Sequence, residues 1–421
     1  MELRNGRNTT MAKIAVLGYG VVGSGTVEVF YKNKESLEKK AGQELDIKYI
    51  LDIRDFPDSP YADKFTKDFE VILNDPEVTI IAEVIGGVKF SYDYVKRSLL
   101  AGKSVVTSNK ELVATHGAEL LKDAHANNVN FFFEASVGGG IPIIRPLHQC
   151  LAANEIDEIA GILNGTTNFI LTKMIKDGMG FDEALKIAQK LGYAESNPAA
   201  DVEGVDACRK ICILASLAFG KHVYPDNVHT EGITKITLED VEYCESWGGA
   251  IKLIGWASRR ENDKIAIMVC PAFIKNDSQL AGVNDVFNAI LVRGDATGDV
   301  VFYGKGAGKL PTASAVVSDI IIAAKMNDSS KSLYWDDAPQ DFVMDYKTID
   351  DRFYVRAKGD AAAIKAKANE LFGSVDFLSR PSADDEIAFV TGMVNEAAFA
   401  DKLAELGKTA DVLGNIRVLD Y

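Results

Sequence analysis

The run GYGVVG at residues 18–23 limits what this chain can fold into more than any other stretch. It follows a short apolar segment, Lys13 to Leu17 (KIAVL), and precedes a helix-like segment from Ser24 to Lys40. Strand, glycine turn and helix in that order give each glycine its own steric task. Gly18 permits the tight turn, Gly20 lets backbone approach a ligand, and Gly23 lets helix and strand pack closely. The first turn of the helix offers unpaired N–H groups, which suit a phosphate. The run therefore reads as a cradle for a dinucleotide, against the alternative of a demanding turn with no ligand.

The pattern that follows supports a doubly wound fold. Ile47 to Ile53 reads as the next strand, ending in the polar stretch DIRDFPDSP. Val78 to Val84 is a third strand, followed by Gly86 and Gly87. A helix is expected at Tyr92 to Leu100, a strand at SVVTS (104–108), a helix at Glu111 to Ala126, and strand again at VNFFFEAS (129–136). Alternation of this kind predicts a mostly parallel α/β sheet covered on both faces, a Rossmann-type domain over residues 11–145. A second α/β domain is expected over 146–310. Its helices fall at Phe169 to Lys176, Asp182 to Leu191 and Asp206 to Phe219, and its strands at Ile265 to Val269 and Leu291 to Val292. The helix TASAVVSDIIIAAK returns to the first domain in this reading, completing it with residues 311–325. Asn327 to Gln340 reads as a linker. Residues 349–421 form a small α/β module, with strands near Phe353 and Ile387 and helices at 362–371 and 396–406.

Charge and cysteine usage exclude several classes. The net charge is −15 and no Lys/Arg stripe is visible, which argues against a nucleic-acid surface. No long apolar run predicts a membrane span, and MELRNGRNTT does not resemble a secretory signal. Five cysteines, an odd number in a large chain, fit a reducing compartment, so a cytoplasmic location is expected. Cys208 and Cys212 share a helical face but lack further metal ligands, and read as buried thiols rather than a metal pair.

Cofactor choice turns on the end of the second strand. Asp52 is placed to accept from a ribose 2′-hydroxyl, which favours NAD. Arg54, two residues on, is placed to pair with a 2′-phosphate, which favours NADP. NADP is the slightly preferred expectation, with Arg54 as a solvated loop cation the alternative.

A second signal lies in ESNPAADVEGVDACRKICILA (195–215), which carries Glu195, Asp201, Glu203, Asp206 and Lys210. Asp206 and Lys210 stand at i and i+4, on one helical face. Such a pair on a surface contributes about 0.3–0.5 kcal/mol. Here it opens a strongly apolar helix, so one end can point inward. A partly buried Lys–Asp pair beside a nicotinamide can bind a small zwitterion and move a proton.

Taken together, GYGVVG, VVTSNK (105–110), FEASVGGGIPII (133–144), GILNGTTNFILTKM (161–174), the 195–215 segment and GKGAGKLPTASAVVSDI (304–320) resemble the homoserine dehydrogenase family. The resemblance implies interconversion of L-aspartate 4-semialdehyde and L-homoserine with NAD(P)H, in threonine and methionine biosynthesis. It implies a nucleotide-binding domain, a substrate and dimerisation domain, and a homodimer or homotetramer. By motif position, Lys210 is the proton-transfer lysine and Asp206 its acidic companion. Lys110 lies close to substrate and nicotinamide. Glu195 and Asp201 hold the substrate, and Asn164, Gly165 and Thr166 fall in the loop that lines its pocket. Cofactor contacts fall at Gly18, Tyr19, Gly20, Val21, Val22, Gly23, Arg54, Ser108, Asn109, Lys110 and Gly306. Glu134, Val137, Gly139 and Ile141 match a region that binds a monovalent cation, Na+; a tight glycine turn is the alternative. The chain departs from the family in reading Glu195-Ser196-Asn197-Pro198 where E-P-N-P is usual, and in Ser108 where alanine is usual.

Residues from 349 onward resemble an ACT domain, giving a ferredoxin-like third domain. The usual Asp-x-x-Gly turn is replaced by GDAAAIKAKA (359–368). Threonine sensing, pairing without a ligand, and a different effector all remain open for it. A fused aspartate kinase is not expected, given how few residues precede Lys13. The rival readings are another oxidoreductase, such as an aspartate-semialdehyde or amino-acid dehydrogenase, and a non-catalytic NAD(P)-binding sensor. A sensor would keep the three glycines without needing the Glu195–Asp201–Asp206–Lys210 set.

Overall fold

The computed structural model describes residues 11–325, 333–380, 383 and 385–421. The opening stretch MELRNGRNTT and part of the expected linker, 327–332, lie outside the described residues. In chain order, the first half contains β1 (Ala12–Leu17), α1 (Val21–Lys32), α2 (Lys34–Ala41), β2 (Leu45–Leu51), β3 (Phe65–Thr66) and α3 (Phe69–Leu73). It continues with β4 (Val78–Glu83), α4 (Lys89–Leu100), β5 (Ser104–Thr107), α5 (Lys110–Ala126) and β6 (Phe131–Phe132). These strands form one sheet in the order β3-β2-β1-β4-β5-β6, and every pairing in it is parallel. That is the Rossmann-type order, with the switch point between β1 and β4.

Two local expectations change. The helix expected at Ser24 to Lys40 is two helices, because the backbone leaves helical angles at Asn33 (φ −112°, ψ 11°). The strand expected at 129–136 pairs only over Phe131–Phe132, and Glu134–Ser136 is a 3-10 turn. The cause is Glu134, whose carboxylate collects main-chain N–H groups from residues 143–145 and folds the chain back.

The chain then runs through β7 (Ile156–Ile162), α6 (Gly165–Asp177), α7 (Phe181–Lys190), α8 (Ala199–Val202) and α9 (Val205–Phe219). Next come β8 (His229–Thr230), α10 (Leu238–Ser246), β9 (Gly249–Arg259), β10 (Ile265–Lys275), β11 (Phe287–Gly294), β12 (Gly298–Lys305) and α11 (Lys309–Lys325). The C-terminal part holds β13 (Asp350–Lys358), α12 (Ala361–Phe372), β14 (Asp376–Leu378), β15 (Glu386–Val390), β16 (Val394–Asn395), α13 (Glu396–Leu406) and β17 (Asp411–Val418). The second sheet runs β12-β11-β7-β9-β10-β17-β13-β15-β14. β9 and β10, both almost wholly buried, pair antiparallel along their full length and form its spine.

Compactness divides the chain into two units. The first comprises Met1–Ala152, Ser216–His222 and Ala307–Asp337; the second comprises Ala153–Ala215, Val223–Gly306 and Ala338–Tyr421. Within the first unit, α11 lies against α1 so closely that a side chain at Gly25 would come within 2.8 Å of the Lys309 carbonyl.

The described part of the expected linker is not solvated. Trp335 is fully buried, and a Cβ at Gly117 would sit 2.7 Å from its Cζ2. The Trp335 indole N–H donates to His222 Nδ1 at 2.9 Å, and His222 Nε2 lies 3.0 Å from the Ala114 carbonyl. An acceptor at Nδ1 and a donor at Nε2 require the neutral imidazole. Burial pushes the His222 pKa down to about 4. In the unfolded chain it titrates near 6.5. Between those values only the unfolded chain takes up the proton, so stability is full above pH 6.5 and falls as pH drops towards 4. The loss amounts to up to about 3 kcal/mol. We expect His222→Gln to be less stable than the parent protein at pH 7 in urea denaturation, with the gap narrowing by pH 4.5. A gap that stays constant would show that His222 is already charged in the folded protein.

Candidate active site

The nucleotide-binding half belongs to the first unit. Gly18 adopts φ +99°, and its N–H donates to the Leu51 carbonyl at 2.8 Å, tying the turn to β2. A Cβ at Gly23 would lie 1.9 Å from the Gly18 carbonyl oxygen, so only glycine fits there. Gly20 differs: nothing lies within 4 Å of where its Cβ would be. Gly20 caps α1 without a side-chain bond, and the first intrahelical donor is Ser24 N, to Gly20 O. The N–H groups of Val21, Val22 and Gly23 are thus turned outward beside open space, a setting that fits the diphosphate of a dinucleotide.

Tyr19 N–H donates to Asp52 Oδ2 at 2.8 Å. Arg54 closes on the same carboxylate through Nε and Nη2, both at 2.9 Å, and Nη2 also donates to the Tyr19 carbonyl. These contacts hold the Asp52 carboxyl well below the usual carboxylate range, Arg54's hydrogen bonds contributing most. The Asp52 side chain is 7% exposed and that of Arg54 57%, so the cation is the outer member of the pair.

The ends of β4 and β5 are joined by a residue that sequence reading missed. Glu83 is fully buried, and Oε1 accepts from Ile85 N, Gly86 N and Ser91 Oγ while Oε2 accepts from Thr107 Oγ1 at 2.6 Å. Thr107 Oγ1 in turn accepts from Asn109 N. Asn109 caps α5 through Leu112 N and donates to the Gly87 carbonyl at 2.6 Å. This network places Ser108 and Asn109 on the loop leading into α5 and Lys110 at the first residue of that helix. The one available signal for Glu83 was a carboxylate closing the apolar run VTIIAEV.

The candidate cation segment has a different internal role for its carboxylate. Glu134 is buried; its Oε1 accepts from Ile143 N and Ile144 N, and its Oε2 from Arg145 N and Nε. Asp319 accepts from Glu134 N at 2.9 Å, and burial followed by the Glu134 charge pushes its carboxyl up to about 7. With four donors on Glu134, a side-chain bond from it to a cation does not fit.

The residues singled out for the substrate lie in the second unit, and several of them meet there. Lys210 Nζ donates to Asp206 Oδ2 and to the Leu163 carbonyl, both at 2.8 Å, and both side chains are less than a tenth exposed. Asn164 Nδ2 donates to Asp201 Oδ1 at 2.7 Å and to Asp206 Oδ2 at 2.8 Å. The Asp206–Lys210 pair is therefore an inward-facing one, not a surface pair. Thr166 Oγ1 donates to the Tyr193 carbonyl at 2.6 Å, fixing the loop after α7 over the start of α6. Gly165 permits close packing, since a Cβ there would lie 2.9 Å from the Val286 carbonyl. Glu195 is exposed, and its side chain does not join the buried cluster among the described residues. Gly306 is buried, and a Cβ there would lie 2.1 Å from Asn288 Nδ2. Its absent side chain is thus required for packing.

Comparison with known proteins identifies the family. A model of the homoserine dehydrogenase NAD-binding domain matches residues 18–134, and the homoserine dehydrogenase model matches residues 142–321. The homoserine dehydrogenase of Bacillus subtilis is 43% identical over 318 residues, covering 74% of this chain and 73% of its own. That of Pseudomonas aeruginosa is 36% identical over 96% of this chain and 97% of its own. A crystal structure of a homoserine dehydrogenase from Thiobacillus denitrificans superposes with a TM-score of 0.91 at 35% identity, covering 97% of this chain and 98% of that one. Identity of this order along nearly the whole length, with the same fold, means that the chain belongs to the homoserine dehydrogenase family.

Proposed function

We propose that Lys210, Asp206 and Asp201, gathered around Asn164, form the acid–base and substrate-binding centre of this enzyme. The reaction itself is the reversible NAD(P)H-dependent reduction of L-aspartate 4-semialdehyde to L-homoserine. The observation that carries the assignment is the buried contact of Lys210 with Asp206 at the start of α9. The bound nicotinamide supplies hydride to the aldehyde carbon. As that carbon is reduced, its oxygen gains negative charge. The Lys210 ammonium stabilises this charge and gives the oxygen a proton; in the reverse direction it receives one. Asp206 keeps Lys210 charged and aimed. Asp201 and the exposed Glu195 are carboxylates suited to the substrate ammonium and hydroxyl, with Gly165 and Thr166 lining the same pocket. Lys110, at the first turn of α5, is assigned to the same reaction.

Gly18 to Gly23, Ser108, Asn109, Lys110 and Gly306 take the cofactor in this reading. NADP is the favoured form. Asp52 is masked by Tyr19 N–H and by Arg54, so it presents a weakened charge to a 2′-phosphate, while Arg54 stands outermost. A sodium ion at 134–141 would rest on main-chain carbonyls, a hard-oxygen set. No step of the reaction is assigned to it.

Residues 350–418 run β13-α12-β14-β15-α13-β17, in the sheet order β17-β13-β15-β14. This is the ferredoxin-like arrangement, and we assign the module as ACT-like. Asp360 caps α12 where the Asp-x-x-Gly turn would stand. Pairing within a homodimer or homotetramer is the favoured role, and a threonine titration of activity tests the effector alternative.

Two outcomes are expected. Lys210→Ala should lower kcat for homoserine oxidation about a thousandfold, with NADPH binding by fluorescence unchanged; near-normal turnover would remove the catalytic assignment. Arg54→Ala should lower kcat/KM with NADP about tenfold, by loss of a charge-assisted phosphate contact, while NAD values hold. An unchanged ratio between the cofactors would end the case for Arg54.

A further inference from the structure

The sequence resemblance places Asn164 only in the loop that lines the pocket, yet its carboxamide reaches two carboxylates and a helix cap at once. It lies before the first residue of α6, at φ −126° and ψ 118°, and caps that helix. Its Oδ1 accepts from Thr167 N at 2.8 Å and from Thr167 Oγ1 at 3.0 Å. A main-chain N–H can only donate, so the oxygen must face Thr167. The NH2 group must then face the opposite way, towards Asp201 and Asp206, which as carboxylates can only accept. Both ends thus fix the same orientation of the amide. The two N–H bonds go to two different carboxylates, Asp201 Oδ1 and Asp206 Oδ2. The residue before it, Leu163, gives its carbonyl to Lys210.

Two carboxylates that share one amide at 2.7 and 2.8 Å repel, and such repulsion favours a proton on one of them. A protonated Asp206 would no longer hold Lys210 as an ammonium. A protonated Asp201 would no longer attract the substrate ammonium. We infer that Asn164 is a positioning residue for the reaction: its carboxamide, oriented by the cap of α6, keeps Asp201 and Asp206 both ionised and separately aimed. The inference rests on the assignment of Lys210, Asp206 and Asp201 made above.

Asn164→Ser separates this role from helix capping. Serine still accepts from Thr167 N and is a good N-cap, but it has no NH2 group to give the carboxylates. We expect kcat/KM for homoserine to fall about a hundredfold, in the range of a lost preorganised hydrogen-bond donor, with Tm within a few degrees of the parent. The acid limb of the kcat/KM–pH profile should move up by about one unit, because carboxylates that lose donors protonate more easily. Asn164→Asp keeps the cap and adds a third carboxylate beside Asp201, Asp206 and Lys210, so its limb should move further and its loss should be larger. If Asn164→Ser leaves both kcat/KM and the acid limb in place while Lys210→Ala is inactive, Asn164 is only a cap and the inference is overturned. If Lys210→Ala itself retains turnover, the assignment beneath the inference fails instead, whatever Asn164→Ser does.

Discussion

A buried carboxylate is costly unless its lone pairs find donors, and the loops of the first unit are built around two such groups. Glu83 closes β4 and gathers donors from the turn after it, from α4 and from the end of β5. Glu134 does the same beyond β6, taking three successive main-chain N–H groups together with the Arg145 guanidinium. In both cases the loop is shaped by the donors that a buried acceptor demands, so the loop cannot relax without stranding a charge. The glycine turn at 18–23 adds a steric counterpart: Gly23 and Gly18 meet at a distance no side chain allows. Rigid loops at the strand ends are what a dinucleotide site requires, because they are the surface against which the cofactor is oriented.

The second unit solves a related problem with an amide. Asp206 sits between an ammonium and a carboxamide, and Asp201 shares that carboxamide. The helix cap at the start of α6 and the ionic pair at the start of α9 are therefore one network. Local helix chemistry and the proposed substrate chemistry draw on the same side chain.

Much of this was legible in the sequence, for identifiable reasons. Strands β1, β4 and β5 are short apolar runs bounded by glycine or polar residues. The GYGVVG turn announces its own geometry, and Asp206 and Lys210 fall at helical spacing. β9 was missed because GAIKLIGWASR is buried on both faces, which erases the period-two alternation that marks a strand. The buried Lys252 within it even reads as a solvent-facing residue, although it donates to Asn168 and Asn284 inside the protein. Residues 333–337 read as linker because NDSSKSLYWDDAPQ is polar overall, and the single Trp335 that anchors them depends on a gap left by Gly117 far away in sequence. Glu83 escaped notice, and Asn164 was placed only in the pocket loop, for a common reason. Their importance lies in how many partners converge on them, and convergence is a property of three dimensions.

The route of the chain also governs when each unit is finished. The first unit needs residues 307–337, including α11 and Trp335, to cover α1 and surround His222. The second needs β17, whose Arg417 and Val418 pair with Ala272 and Phe273 of β10. During synthesis, neither unit can bury its apolar surface until well after its first strands have emerged, and the second waits for nearly the last residues. Contacts this distant along the chain slow folding and lengthen the exposure of unpaired strands. The newly made protein therefore passes through a period in which β8 pairs with β10 at Met268 and Val269 but Ala272 and Phe273 still await β17, and that short stretch is where mispairing with other chains would begin.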